Sequence, residues 1–356
     1  MASGMQPELP RKAPAVQGWR RLGGRVDRRL WWGLLAVAAA AVPFLTNEYW
    51  TDVFNYLGLY VLLGLSLNII VGNTGLFNLG QAAFYAIGAY LTAILNVRYH
   101  IPTLVLLPLA AVVAAAIGAL LARPILHLRG DYLAIVTIGF GEIVRIALTN
   151  NPWGLTGGPN GIIGIQRPAI GPLEVRSPFD YYFLIWVVVA VVVWASVRLD
   201  STRIGRAWRY VREDELAAEA MGIDTGYFKM LAFALGASIA GIAGNLYASK
   251  MTVISPDSFT FWESVVMFVI VVLGGAGSIP GVFVGAAAMV ILPEIFREFA
   301  LWRMLVFGAA MVVMMIFRPE GLWPSRQQRQ ELASEGAAST PATGQGGDDG
   351  HAHAGA

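Results

Sequence analysis

The residues able to do chemistry in this chain are few, and they stand inside or beside long apolar runs. Glu142 and Arg145 lie three positions apart on one face of "VTIGFGEIVRIALT" (136–149). An ionisable group at the centre of a membrane helix costs about 2.5–3.5 kcal/mol on insertion scales. A mutual ion pair lowers that cost, so the two are expected to pair and to face protein rather than lipid. As chemistry they are a gate, or a contact for the ammonium and carboxylate of a zwitterion; as structure they fix the rotation of one helix. A second group is amide-rich. The stretch "VGNTGLFNLGQAAFYAIGAY" (71–90) sets Asn73, Thr74, Asn78 and Gln81 among Gly72, Gly75 and Gly80. Helix breakers and amides near a span boundary fit irregular backbone lining a pathway, or equally a turn before a tightly packed helix start.

Hydrolytic and nucleotide chemistry find little support. The chain contains no cysteine, so thiolate metal sites and disulfides are excluded. His100 and His127 are isolated, His351 and His353 lie near the end of the sequence, and neither an HExxH motif nor a serine–histidine constellation occurs. Lys12, Lys229 and Lys250 follow Arg, Phe and Ser, so no lysine sits in the Gly-Lys-Ser/Thr context that a phosphate-binding loop requires. No cofactor is expected on this chain.

The elements that must position these groups are membrane helices. Of 356 residues 56% are hydrophobic and 13% charged, with mean hydropathy +0.59, whereas soluble domains carry about 25% charged residues. The expected fold is an all-α polytopic integral membrane protein. Apolar runs near the required length of about 20 residues occur at 31–46, 52–71, 75–97, 102–121, 131–149, 180–197, 230–249, 263–277, 279–296 and 301–317, which predicts about ten spans. The two runs joined by "GGAGSIPG" are short enough to be half-helices. With both termini cytoplasmic, ten spans place the basic start (Arg11 to Arg29), Arg123 and Arg129, the group from Arg198 to Lys229, and Arg318, Arg326 and Arg329 inside. Arg98, Arg167, Arg176, Lys250, Arg297 and Arg303 remain outside, in accord with the positive-inside rule. The organisation is therefore a basic cytoplasmic segment (1–30), a transmembrane domain (31–324) with an internal loop at 198–229 and an external loop at 150–179, and a tail (325–356) disordered by composition.

The internal loop contains a third group, "REDELAAEAMGI" (212–223), with five charges in twelve residues. Helical spacing gathers Leu216, Ala217, Ala220, Met221 and Ile223 on one face and leaves Glu213, Glu215 and Glu219 on the rest, with Gly222 ending the turn. Two readings follow: a helix lying on the lipid surface, or a small apolar knob with a charged rim offered to another protein. Elsewhere, Gly236, Ala240 and Gly244 recur every four residues, as do Gly277, Gly281 and Gly285; this spacing serves close helix packing.

Four long stretches carry a resemblance: "YVLLGLSLNIIVGNTGLFNLGQAAFYAIGAY" (60–90), "GDYLAIVTIGFGEIVRIALTNNPWGLTGGPNGI" (130–162), "DSTRIGRAWRYVREDELAAEAMGIDTGYFKMLAFALGASIAGIAGNLYA" (200–248) and "VLGGAGSIPGVFVGA" (272–286). Together they resemble the permease subunits of branched-chain amino acid ABC importers, LivM type, from about residue 50 to residue 324. The resemblance implies a coupling helix around Arg212, Glu215, Leu216, Ala217, Glu219, Ala220, Met221 and Gly222, whose "EAMG" matches the family's Glu-Ala-Ala pattern loosely. It implies that ATP and Mg are held by two partner ATPase subunits, that a homologous second permease completes the pathway, and that an extracytoplasmic solute-binding protein docks outside, where the loop "TNNPWGLTGGPNGI" (149–162) opens. The location implied is the bacterial cytoplasmic (inner) membrane, among lipid and without nucleic acid. Urea or short amides are the alternative cargo. A proton-coupled secondary transporter would instead use Glu142 as its titrating carboxylate, and a membrane-embedded enzyme would have only Glu142 and Arg145 to work with.

Overall fold

The computed structural model describes residues 42–44, 46–125, 128, 130–170, 173–296, 308, 312, 322 and 323. The basic segment 1–30, the tail 325–356, and all but a few positions of the expected first and last spans (31–46 and 301–317) lie outside the described residues. Two units divide the chain, Met1–Asn47 and Glu48–Ala356. In the first, 42–44 is helical and the Thr46 hydroxyl donates to Val42 O at 2.8 Å.

The second unit is built of α-helices because its apolar runs are rich in Leu, Ala, Ile and Val, and because a backbone in hydrocarbon must satisfy its own amides. Helix α1 (Glu48–Leu67) continues into a π-helical segment, Asn68–Asn73. Gly75, at φ +72°, ends it. Residues 75–80 then run without helical structure to α2 (Gln81–Tyr99), which is followed by α3 (Thr103–Ile125) and α4 (Asp131–Thr149). Helix α5 (Pro178–Asp200) begins with a capping box between Ser177 and Asp180. After it come α6 (Arg203–Glu213), α7 (Glu215–Ala220), α8 (Thr225–Met251), α9 (Phe261–Gly274) and α10 (Ile279–Ile295).

Among the described residues, six stretches are long and apolar enough to cross a membrane: Glu48–Asn73, Thr103–Ile125, Asp131–Thr149, Pro178–Asp200, Thr225–Met251 and Pro256–Gly274. The eight spans expected between residues 52 and 296 all contain a helix, with two differences from the sequence reading. The run 75–97 is not helical throughout, because the chain first folds back as 75–80 and α2 starts only at Gln81. Nor is 212–223 one helix. Asp214 is extended (φ −155°, ψ 112°) and its carboxylate accepts from the amides of Leu216 and Ala217, so it closes α6 and caps α7.

Helix α8 is the axis of this unit and shows why small residues recur along it. A Cβ added at Gly88 would fall 2.2 Å from Gly241 O, one at Gly244 2.2 Å from Tyr85 O, and one at Gly241 2.7 Å from Ala110 O. Backbones of α2 and α3 therefore touch α8 directly, as association within lipid, driven by packing rather than by water, requires. Helices α9 and α10 approach in the same manner at Gly281 and Gly285, whose added Cβ atoms would meet Gly274 O and Ile270 O at 2.4 and 2.2 Å. At the end of the unit opposite α7, two short ladders order the connections: β1 (Ile162–Ile163) pairs antiparallel with β4 (Val253–Ile254), and β2 (Ala169–Ile170) with β3 (Leu173–Glu174).

Candidate functional site

The loop from α6 to α8 is folded by its own polar residues. Trp208 is fully buried and its indole N–H donates to Phe228 O at 2.8 Å, which fastens α6 to the start of α8. Asp214 starts α7, Gly222 turns the chain at φ +81°, and Asp224 caps α8 by accepting from Tyr227 N. Helix α7 is one and a half turns long and would not persist alone. It is held by Ala218, which is fully buried, by an ion pair between Glu215 and Lys229, and by the Thr225 hydroxyl donating to Glu219 Oε1 at 2.7 Å.

These contacts sort the residues of the loop by direction. Glu215 and Arg212 turn inward: Glu215 meets Lys229, and Arg212 donates to Gly72 O. What remains outward is Leu216 and Met221, each 64% exposed, with Ala217 and Ala220 between them, Gly222 after them, and Tyr210 and Tyr227 also exposed on the flanking helices α6 and α8. Large apolar side chains held at that exposure on a braced helix form a compact contact surface. Glu219 is tied to Thr225 yet remains exposed at its edge.

The amide group occupies the place where 75–80 meets α2. Thr74, Asn78 and Gln81 are buried, and the Thr74 hydroxyl donates to Ile70 O. Asn78 Nδ2 donates to Gln81 Oε1 at 2.7 Å, while Gln81 Nε2 donates to Ser66 Oγ at 3.0 Å and to Gly236 O at 3.3 Å. Backbone amides there are met by side chains from other helices: Thr137 Oγ1 accepts from Leu79 N and Ser264 Oγ from Ala82 N. The amides thus clamp α1, α2 and α8 together within this chain. Asn73 stands apart, lining a small cavity with Leu65, Asn68, Ser196, Asp200 and Gly277.

Glu142 and Arg145 pair as spacing suggests, with Nε to Oε1 at 3.0 Å, Nε to Oε2 at 3.1 Å and Nη2 to Oε1 at 2.5 Å. The pair is half-exposed rather than enclosed, and Asp257 stands 3.9 Å from the guanidinium. Helix α4 around it presents Tyr132, Ile135, Ile143 and Ile146 outward. The structure therefore leaves the ion pair apart from the other two groups, while Arg212 joins the loop to the amide-rich stretch at Gly72.

Several polar residues escape a reading based on spacing. Tyr60 donates to Glu263 Oε2 at 3.2 Å, Lys250 pairs with Asp52 at 2.7 Å and lies over the Tyr56 ring, and Asn245 bridges Thr92 and Thr103 O. Their partners come from distant helices; the only sequence signal is a polar residue within an apolar run. On the ladder end, Asn151 Oδ1 accepts from Thr156 N and Gly157 N, and Trp153 is held 89% exposed at φ +56°. Among the described residues no group of three His, Asp or Glu is placed to hold a metal ion.

Comparison with known proteins accounts for this combination of membrane helices and a braced loop. Residues 49–315 match the family described as branched-chain amino acid transport system / permease component. The chain is 42% identical, over 88% of its length and 79% of the relative's, to the high-affinity branched-chain amino acid transport system permease protein LivM of Salmonella typhimurium. It is 41% identical over the same shares to LivM of Escherichia coli, and 25% identical to the Salmonella typhimurium permease LivH, over 74% of this chain and 90% of that one. No solved structure matches. Extending over most of the transmembrane unit, these likenesses establish that the chain belongs to the permease family of branched-chain amino acid transport systems.

Proposed function

We propose that this chain is a permease subunit of an ATP-driven importer that moves leucine, isoleucine or valine across the cytoplasmic membrane. In this reading about ten helices span the bilayer with both termini inside, so α7 faces the cytoplasm and Trp153 the exterior. The single observation that carries the assignment, beyond family membership, is α7 itself. A six-residue helix that exposes Leu216, with Met221 exposed at its C-cap, yet is fixed from behind by Lys229 and Thr225, is shaped to receive force.

Two partner ATPases bind ATP and Mg and grip α7 on each permease. A second, homologous permease completes the pathway, and the existence of two related permeases, LivM and LivH, among the similar proteins supports a heterodimer. The outward face of α4, bearing Glu142 and Arg145, is the surface on this chain best suited to meet that partner, because ion pairs in membrane helices seek protein or water rather than lipid. A solute-binding protein docks on the 150–179 loop. Closure of the ATPases displaces α7, and the pathway between the permeases exchanges its exposure.

Vesicles containing this chain, its partner permease, the ATPases and the binding protein test the proposal through uptake of radiolabelled leucine and urea. ATP-dependent leucine uptake is the expected result. Uptake by this chain alone on a pH gradient would overturn it, and urea without leucine would keep the machine and change the cargo.

A further inference from the structure

Behind α7, two glycine turns from opposite ends of the sequence close on one side chain. Arg212, in the last turn of α6, donates through Nη1 to Gly72 O at 2.5 Å. Its aliphatic stem covers Gly75, where an added Cβ would lie 3.3 Å from Arg212 Cγ, and its guanidinium covers Gly277, where the same atom would lie 3.1 Å from Nη1. The two turns also touch each other. Gly277 N donates to Asn68 Oδ1 at 2.8 Å, across 209 residues of sequence, and a Cβ at Gly72 would come within 2.5 Å of Gly277 N. Gly75 and Gly277 have φ of +72° and +82°, which side-chain-bearing residues rarely adopt.

Each turn controls a piece of broken helix. Gly72 lies in the π-helical end of α1, a segment type that interrupts the regular ladder and recurs at functional sites; from it, 75–80 leads back to the Asn78–Gln81 clamp. Gly277 lies in the link between α9 and α10, just before Ser278, which caps α10. On the other side Arg212 is two residues from Asp214, the cap of α7. The intervening backbone is the last residue of α6 and one extended residue, which leaves little slack.

We infer that Arg212 is a positioning residue that transmits displacement of α7 to both glycine turns at once, and through them to the start of α2 and to the α9–α10 hairpin. This rests on the proposal that α7 is the ATPase-facing element. Bonded to a backbone carbonyl rather than to a carboxylate, the guanidinium can follow Gly72 without a partner side chain having to move.

The test compares wild type, Arg212→Met and Arg212→Lys in the complete complex, reading leucine imported per ATP hydrolysed together with the amount of ATPase retained on the permease. Loss of a charge-assisted bond is expected to lower leucine per ATP by about tenfold or more in Arg212→Met, with ATPases retained and partial recovery in Arg212→Lys. A merely structural residue would lower the amount of complex and leave that ratio unchanged. A wild-type ratio in Arg212→Met, or loss of ATPases in step with transport, would overturn the inference. Amide exchange on the same variants, in this chain alone, separates it from the transporter proposal. If the wild-type complex shows no ATP-driven uptake, that proposal fails; faster exchange at both 72–78 and 274–279 in Arg212→Met still supports the Arg212 link, and unchanged exchange overturns it.

Discussion

Lys229 and Glu215 form an ion pair in which the lysine side chain is 3% exposed and the glutamate 21%. The pair joins the second turn of α8 to the first residue of α7, so it fixes the distance between a membrane helix and the loop that precedes it. Removing one partner from such a pair leaves an uncompensated buried charge, at a cost of about 3–5 kcal/mol. Glu215→Gln is therefore expected to lower the unfolding midpoint in detergent and to expose the 212–223 loop to trypsin. Replacing both residues with Met is expected to restore much of the loss. Equal protease resistance in wild type and Glu215→Gln would show that the brace lies elsewhere.

Leu216 and Met221 should behave in the opposite way. Both are largely exposed, so Leu216→Asp and Met221→Asp are expected to leave the folding of this chain intact. Each apolar side chain buried in a partner is worth about 1.5–3 kcal/mol, which is a tenfold or greater loss of ATPase co-purification per substitution. Retention of the ATPase by the double variant would remove α7 as the docking surface.

Gln81 is bonded at both ends of its amide, to Asn78, Ser66 and Gly236 O. In Gln81→Leu the Asn78 amide loses its acceptor and Ser66 its donor, and a buried group left unpaired costs about 1–3 kcal/mol. The expected outcome is a lower midpoint in a thermal-shift assay on the purified chain. An unchanged midpoint would mean that α1, α2 and α8 are held without this clamp.

For the Glu142–Arg145 pair the magnitude points the other way. At its half-exposed position the pair contributes about 1 kcal/mol or less to folding. Glu142→Gln should fold as well as wild type, and leucine uptake should still require ATP. If uptake instead loses its dependence on an imposed pH gradient, Glu142 is the titrating carboxylate of a secondary transporter.

Two glycines separate packing within the chain from packing beyond it. Gly88→Val places new atoms against Gly241 O, where a Cβ alone already lies at 2.2 Å, and is expected to prevent recovery of folded protein. Among the described residues nothing approaches within 4 Å of a Cβ at Gly139 on α4. Gly139→Val should give a folded chain by size-exclusion chromatography and weaken only its association with the second permease. Unimpaired association would move that interface away from α4.

Apolar runs reveal where helices lie, because twenty residues without charge have few other solutions in a bilayer. Small residues at four-residue spacing likewise announced the α8 contacts. The start of α2 was hidden, since Thr137, Ser264 and Ser66, which satisfy or clamp the chain at 78–82, come from three other helices. The break at Asp214 has a local signal, an acceptor side chain two and three residues before free amides, which helical spacing of the apolar residues masks. Arg212 and Glu215 look like surface charges in sequence; their inward direction depends on a glycine turn and a lysine supplied by other segments.

The β1–β4 ladder sets a rule for natural variation. Ile162 faces Ile254 and Ile163 faces Val253, so the connection after α4 and the connection between α8 and α9 are stitched together at fixed positions. A residue inserted between Asn151 and Ile162 leaves the ladder in register with α8, at the expense of local contacts such as the Asn151 bonds to Thr156 and Gly157, whereas one inserted between Met251 and Val253 would shift the ladder against α8 by one place and exchange which side chains face inward. Lengths among relatives should therefore vary less on the second side than on the first.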